Sequence, residues 1–167
     1  MYWYIAHVNE NKKTKLVKFF NSQENTNAFI PKMEKWYSMK GIKDYIIKDL
    51  YPDYVFIKSP LDLEEFNKCF KEFFETVDGF AQLLGYDDVY PLSESEQSLM
   101  EKLFDNQDVI KHSVGNIVNS QLIVDEGPLM NMEDKVIKIN RHHRIATLKT
   151  ELFNNRLIVP LEVISKT

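Results

Sequence analysis

The sequence predicts an α+β protein in two parts, an N-terminal α/β sandwich and a small C-terminal β-module. Up to about residue 104, runs of aromatic and β-branched residues alternate with amphipathic helical segments. Beyond residue 113, short strand-forming runs follow one another, separated by turn residues. A chain of 167 residues with 44% apolar residues can build two small cores. We therefore expect domains over 1–104 and 114–167, joined by a polar, aperiodic linker over 105–113.

The N-terminal part is predicted to alternate strands and helices. A helix over residues 12–20 follows the first strand and can be capped by Asn9 or Asn11. The strand candidates are residues 3–8, 28–31, 45–47 and 51–58, with an exposed ribbon or loop over 33–40.

Two further helices begin with the spacing of a capping box, in which a side chain and a backbone N–H three residues apart bond to each other. Asp62 and Glu65 open one of them, and Ser93 and Glu96 open the last, which ends near Leu103 or Phe104. The core-facing side of the earlier helix is predicted to contain Leu63, Phe66, Phe70, Phe73, Phe74 and Val77.

Positive charge is concentrated near the C-terminus, although the whole chain has a net charge of −4. Residues 1–110 contain 13 Lys/Arg and 19 Asp/Glu, whereas residues 111–167 contain 8 and 6. Residues 135–150 contain five Lys/Arg, two His and no acidic residue. Because they come shortly after a strand-like run that stops at Gly127-Pro128, they predict a small basic β-module that can bind phosphate.

This C-terminal module resembles the KOW motif of NusG-type transcription factors. Residues 122–129 are an apolar run that ends in Gly-Pro-Leu, like the first strand and turn of the motif. The basic hairpin follows, and residues 151–156 and 159–164 continue the pattern. The resemblance implies a small SH3-like β-barrel, and residues 139–146 are most similar to LoaP-type antiterminators.

The N-terminal part resembles the NusG-type N-terminal domain. Trp3 and Tyr4 match its opening strand, and residues 29–32 match its second strand. Residues 50–56 stand where the family usually has Phe-Pro-Gly-Tyr-Val-Phe, and residues 90–93 fit the segment before the last helix. These matches follow the family's order over almost the whole chain, which is more specific than any single motif.

Three residues depart from glycines of the family pattern. Asp53 stands in the Pro-Gly-Tyr segment, and Asn131 and Asp134 stand after the Gly-Pro-Leu turn. Asn and Asp tolerate left-handed backbone best among non-glycine residues, so we expect the turns to persist at some strain. Asp134 also brings a carboxylate beside the basic strand, where it would weaken phosphate binding.

The resemblance further implies a surface that binds the clamp helices of bacterial RNA polymerase. We carry this surface over to Trp3, Tyr4, Tyr51 and Tyr54, with Pro52 shaping the turn. Aromatic side chains suit an interface because each buries a large area and loses little rotamer entropy. The alternative is that several of these rings belong to the core of the sheet.

The basic hairpin is the predicted RNA-binding site. Strand alternation places Ala146, Leu148, Thr150 and Leu152 inward and Lys149 outward, near the hairpin cations. Arginine binds phosphate through two parallel hydrogen bonds, and a small β-surface can reach the shallow groove of an RNA helix or the bases of a loop. The alternative is a solvated hairpin whose charges serve only solubility. The predicted RNA-binding residues are Lys138, Arg141, His142, His143, Arg144, Lys149 and Arg156.

Other kinds of site have little support in the sequence. His142 and His143 are neighbours that should point apart, and no Cys or His cluster supplies the ligands of a zinc site, so we predict neither metal nor cofactor. Cys69, the only cysteine, is predicted to be a buried structural thiol on the apolar face of its helix. No glycine-rich phosphate loop, Ser-His-Asp spacing or paired acidic motif indicates an enzyme.

The sequence thus predicts a cytoplasmic, monomeric elongation factor without catalytic activity. It contains neither an apolar run of the ~18 residues that span a bilayer nor a secretion signal. Its first domain would bind polymerase and its second would bind structured nascent RNA, as in an operon-specific processive antiterminator. Two alternatives are a housekeeping NusG that contacts Rho or a ribosomal protein, and a ribosomal or ribosome-assembly protein that binds RNA.

Overall fold

The computed structural model describes residues 1–8, 12–76, 90–153 and 156–167, with the backbone alone for 71–76. The described chain forms the following elements, in order: β1 Tyr2–His7, α1 Lys13–Asn21, β2 Asn27–Phe29, β3 Lys32–Met39, β4 Ile42–Asp49, β5 Tyr54–Ser59, α2 Leu63–Thr76, β6 Tyr90–Pro91, α3 Glu94–Leu103, β7 Val109–Ile110, β8 Ser113–Val118, β9 Gln121–Glu126, a 3₁₀ turn Glu133–Lys135, β10 Val136–Asn140, β11 Ile145–Leu148 and β12 Leu157–Lys166.

Two compact units divide the chain. The first contains Met1–Pro31 and Asp49–Gln97, and the second contains Lys32–Lys48 and Ser98–Thr167. The ribbon of β3 and β4, which the sequence assigned to the N-terminal domain, therefore clusters with C-terminal residues. No described helix is long and apolar enough to cross a membrane.

The first unit is a four-stranded sheet in the order β2-β5-β1-β6. The central strand β1 runs antiparallel to both β5 and β6. Because side chains alternate between the faces of a strand, Tyr4, Ala6 and Val8 share one face of the sheet. This face packs against α1 and α2 in a cluster completed by Leu16, Phe20, Ala28, Val55, Ile57, Phe66 and Phe70.

The helix starts of the first unit largely follow the sequence. Asp62 Oδ1 accepts from the Glu65 N–H at 2.9 Å, and Ser93 Oγ accepts from the Glu96 N–H at 3.2 Å, so both predicted caps are confirmed. At α1, which begins at Lys13, no side chain among the described residues caps the first turn. The alternative caps Asn9 and Asn11 lie outside the described residues.

The buried stripe of α2 is narrower than predicted. Phe66 and Phe70 are buried, but Leu63 is 38% exposed and the thiol of Cys69 is exposed, so the prediction of a buried cysteine is wrong. At 100° per residue, Cys69 lies about 60° from Phe66 around the helix and falls on the flank of the stripe. The remaining predicted core residues, Phe73, Phe74 and Val77, lie outside the described side chains.

The second unit contains a five-stranded sheet, β10-β11-β12-β8-β9, and a three-stranded sheet, β4-β3-β7. Strand β12 pairs in parallel with β8, and the other pairs of the five-stranded sheet are antiparallel. Within the described residues β9 and β10 are the edge strands, and the sheet does not close into the barrel that the resemblance to the KOW motif implied. The predicted linker contains β7, which pairs with β3.

Inward and outward positions around the basic hairpin agree with the alternation of the sequence. Ala146 and Leu148 are completely buried, and Leu152 is 4% exposed. Lys149 is exposed, as predicted. The ribbon predicted over 33–40 is the strand β3, but Met33 is buried and only Lys35, Ser38 and Met39 of this strand are exposed. It turns into β4 through Lys40 and Gly41, both at positive φ.

A close backbone approach fixes the turn at Gly127. This residue has φ +103°, and a Cβ added there would lie 2.5 Å from the Cα of Ser113. Ser113 is completely buried, and its Oγ accepts from the Leu129 N–H at 3.0 Å. Asn131 follows with φ +63°, as expected for a residue in place of glycine, whereas Asp53 and Asp134 avoid positive φ and carry no such strain.

We predict that Gly127→Ala lowers the free energy of unfolding by about 2–4 kcal/mol, because it combines a left-handed alanine with a backbone clash. Urea denaturation followed by circular dichroism measures this change. Gly41→Ala is the control, since Gly41 has φ +80° but nothing within 4 Å of its added Cβ, and it should cost only about 1 kcal/mol. Equal losses in the two variants would contradict the close-approach argument.

Candidate functional site

The turn before β5 carries part of the predicted polymerase surface. Tyr51 and Tyr54 are half-buried, and Pro52 between them is exposed. The two tyrosine rings meet edge to face, with centroids 5.7 Å apart. The Asp53 carbonyl accepts from the Val8 N–H at 2.7 Å, which holds the turn against the end of β1. The turn therefore presents two aromatic side chains in a defined conformation.

A buried lysine supports this turn from the inside. Lys13 Nζ donates to Asp49 Oδ2 at 2.5 Å and to the Pro52 carbonyl at 3.0 Å. The Lys13 side chain is 9% exposed and the Asp49 side chain is 26% exposed. Charge-assisted hydrogen bonds in a site shielded from water are stronger than those on the surface. Lys13 thus holds the turn that carries the two tyrosines through its contact with the Pro52 carbonyl.

Trp3 and Tyr4, the other two predicted aromatic residues, are interior side chains. Tyr4 is completely buried, donates from its hydroxyl to the Leu61 carbonyl at 2.5 Å, and stacks on Phe66 at 4.1 Å. Burial raises the pKa of the Tyr4 hydroxyl. Trp3 is 3% exposed and packs edge to face against Phe29. Of the four predicted aromatic residues, only Tyr51 and Tyr54 are therefore accessible in this structure, and a contact of Trp3 or Tyr4 with polymerase stays a prediction.

The loop between β10 and β11 exposes three of the predicted RNA-binding residues. Arg141, His142 and His143 are all exposed. Asn140 Oδ1 accepts from the His143 N–H at 3.0 Å, a local bond that shapes the turn. The centroids of the two histidine rings lie 4.9 Å apart, with the rings edge to face. The prediction that these side chains point apart is therefore wrong. Among the described residues, no three His, Cys, Asp or Glu groups are placed to hold a metal ion.

Arg144, the fourth residue of this loop, is engaged within the protein. Its guanidinium carbon lies 3.6 Å from the centroid of the Trp36 ring, in a cation–π contact. Its Nη1 lies 3.0 Å from Glu162 Oε1 and donates to the Tyr45 hydroxyl at 3.5 Å. The side chain is only 28% exposed. Arg144 therefore has fewer donors available for RNA than the sequence suggested.

Further contacts extend this arrangement, which we call the Arg144 cluster (Trp36, Tyr45, His112, Arg144 and Glu162). The Tyr45 ring stacks on His112 at 3.9 Å, and its hydroxyl donates to Glu162 Oε2 at 3.3 Å. Burial raises the pKa of Tyr45, an effect that the hydrogen bond from Arg144 opposes. The hydroxyl therefore stays protonated near neutral pH and can donate to the carboxylate.

The remaining predicted cations lie around the same sheet. Lys138 on β10, Lys149 after β11 and Arg156 before β12 are all exposed. The structure also places two lysines near the loop that the sequence did not indicate, Lys35 on β3 and Lys43 on β4. The Lys40-Gly41 turn could have identified their hairpin, but no local pattern could have placed it beside a loop from the other end of the chain.

We predict that Lys13→Met lowers the free energy of unfolding by about 2 kcal/mol, because it removes the bonds from Lys13 to Asp49 and to the Pro52 carbonyl. Urea denaturation measures the loss. Lys15→Met, at an exposed position of the same helix, should change it by less than about 0.5 kcal/mol. A Lys13→Met variant as stable as the Lys15→Met variant would show that the buried ion pair does not hold the turn.

Comparison with known families agrees with the resemblance of the N-terminal part. The family model described as "Transcription termination factor nusG" matches residues 1–103, more than half of the chain. No curated protein matches the sequence. The matched region includes the turn with Tyr51 and Tyr54, and the basic hairpin lies beyond it. Members of this family are transcription factors, not enzymes, and bind RNA polymerase. The chain therefore belongs to the NusG family of transcription elongation and termination factors.

Proposed function

We propose that this protein is an operon-specific processive antiterminator that binds the clamp helices of RNA polymerase and structured RNA in the nascent leader. The observation that carries the proposal is the exposed basic loop Arg141-His142-His143 of the C-terminal module. A factor that acts on all transcripts needs no second nucleic-acid surface. A factor that selects an operon does need one.

The polymerase contact is assigned to the turn with Tyr51, Pro52 and Tyr54. Its rings are accessible enough to be buried by a partner, and Lys13 holds the turn in one conformation. A preorganised aromatic anchor binds tightly because little conformational entropy is lost on binding. Trp3 lies on the same face of the sheet as Tyr54, whereas Tyr4 lies on the opposite face, which packs against the helices.

The RNA contact is assigned to residues 114–167, acting as a KOW domain of the SH3-like type. The tight turn at Gly127 and the basic hairpin after it support this assignment. Arg141, His142 and His143 form its exposed tip, with Lys138, Lys149 and Arg156 on the surrounding surface. Exposed arginines and lysines attract the phosphate backbone and give binding a marked salt dependence.

Linking the two contacts on one chain explains selectivity. RNA bound by the C-terminal module raises the effective concentration of the polymerase-binding turn near the transcribing enzyme. A clamp held shut disfavours the open, paused states that precede termination, so the effect is a shift in population.

A housekeeping NusG that contacts Rho or a ribosomal protein is the second candidate. One observation favours it: Ile123 on β9 is 48% exposed and Ile137 on β10 is 60% exposed, and these are the edge strands of the open sheet. Exposed apolar edge strands suit a protein partner better than RNA. The family match over residues 1–103 speaks against a ribosomal protein.

We predict that Tyr51→Ala and Tyr54→Ala each weaken binding to RNA polymerase by about 2 kcal/mol, as expected when a central aromatic anchor is removed. Biolayer interferometry with immobilised polymerase measures the affinity, and thermal melting checks the fold. Tyr2→Ala is the control, since Tyr2 is 47% exposed but lies outside the turn. Normal binding by variants that melt early would mean that the two rings serve only the core.

We predict that the protein increases readthrough of a terminator and does so more strongly when its RNA site lies in the leader. Transcription with purified polymerase, with the native and a scrambled leader, measures the effect. Arg141→Ala should reduce the dependence on the leader, because it removes an exposed phosphate-binding group. Equal readthrough from both leaders, or more termination that requires Rho, would support the housekeeping alternative instead.

A further inference from the structure

Two hairpins that are distant in sequence line one cleft in the second unit. The cleft has a volume of about 660 Å³. The β3–β4 hairpin contributes Lys35, Trp36, Ser38 and Lys43, and the basic hairpin contributes residues 141–145. Both hairpins belong to the same compact unit, so the cleft is part of its fold.

The cleft is cationic, with no acidic residue in its lining. Among the described residues, neither Lys35, Lys43 nor Arg141 has a carboxylate within ion-pair distance. Of the two acids next to these lysines in sequence, Glu34 binds His112. Asp44 lies on the opposite face of β4 from Lys43 and forms no ion pair with either lysine among the described residues. Unpaired positive charges in a concave site concentrate the potential there.

The shape of the cleft favours a chain of phosphates over a single anion. Its volume greatly exceeds that of one phosphate group, and cations lie on both walls. Lysine binds phosphate as a point charge and arginine binds it through a fork of donors, so both are suited to a sugar-phosphate backbone. The Trp36 ring packs against the Arg144 guanidinium. The cleft is therefore better suited to bind phosphate groups than to stack on a base.

We propose that the RNA-binding site is this composite cleft, in which Lys35 and Lys43 contact phosphates of the same RNA that Arg141 binds. This inference rests on the proposed function of the basic hairpin. It extends the interface to a segment within the region that matches the NusG family model, where the sequence indicated no RNA contact. Arg144 is a positioning residue, since its stack on Trp36 and its ion pair with Glu162 join the two walls.

The test is fluorescence anisotropy of the full chain with a labelled RNA stem-loop of about one helical turn, over a range of salt concentrations. The double variant Lys35→Ala/Lys43→Ala should reduce the slope of log affinity against log salt by about 2, and Arg141→Ala should reduce it by about 1. The matched control is Lys15→Ala/Lys48→Ala, which removes the same charge at exposed positions outside the cleft and should leave the slope unchanged.

Each other outcome has a distinct meaning. If only Arg141→Ala lowers the slope, the composite cleft is wrong and the proposed RNA function stands. If neither cleft variant lowers it, the proposed RNA function fails together with the cleft. Equal losses in the cleft and control doubles would mean that general charge carries the binding, which also overturns the proposal. A DNA duplex of the same sequence that binds with equal affinity would overturn RNA as the ligand.

The positioning role of Arg144 has its own test. Trp36→Ala should lower the salt slope as much as loss of both lysines, and removing the lysines in that background should add nothing further. Trp36→Phe keeps an aromatic face for the guanidinium and should retain the full slope. Glu162→Gln, which keeps the shape of the side chain, should give an intermediate slope even if Trp36→Ala proves unstable. Full slopes in both Trp36→Ala and Glu162→Gln would overturn this role.

Discussion

The contact on which the proposed RNA surface depends is the stack of the Arg144 guanidinium on Trp36, 3.6 Å from the ring centroid. Arg144 adopts φ +54°, a left-handed conformation that costs an arginine about 1–2 kcal/mol. The cation–π contact and the ion pair with Glu162 offset this strain. Without these contacts, a glycine or asparagine would be the favoured residue at this position of the turn. The loop conformation is therefore maintained by a side chain that joins β3 and β12 to the basic hairpin.

In each compact unit, a partly buried cation stabilises the segment on which the proposed binding residues lie. In the first unit, Lys13 binds Asp49 and the Pro52 carbonyl and so shapes the turn of the two tyrosines. In the second unit, Arg144 packs on Trp36 and so holds the loop on which Arg141 is exposed. A positive charge in a sequence is thus ambiguous, because a partly buried cation stabilises the fold whereas an exposed one is available to a ligand.

The two proposed contacts lie differently with respect to the region that matches the NusG family. The region that matches the NusG family includes the tyrosine turn, which suits a partner shared by all members, RNA polymerase. The basic hairpin lies beyond residue 103, outside the region that this N-terminal match covers. The ribbon with Lys35 and Lys43 is the exception, since it lies within the matched region and lines the same cleft as the hairpin.

The sequence alone determined what depends on local backbone chemistry: the capped helix starts at Asp62 and Ser93, the tight turn at Gly127, and the alternation of strand faces. It also indicated the family, because the motifs occur in a specific order. Only the tertiary structure decided which side chains are free to act. Whether Tyr4 is buried, and whether Arg144 is engaged within the protein, depends on residues that pack against them from distant parts of the chain. Such contacts produce no periodic pattern in the sequence, because they join residues that are distant along the chain and depend on how the whole unit packs.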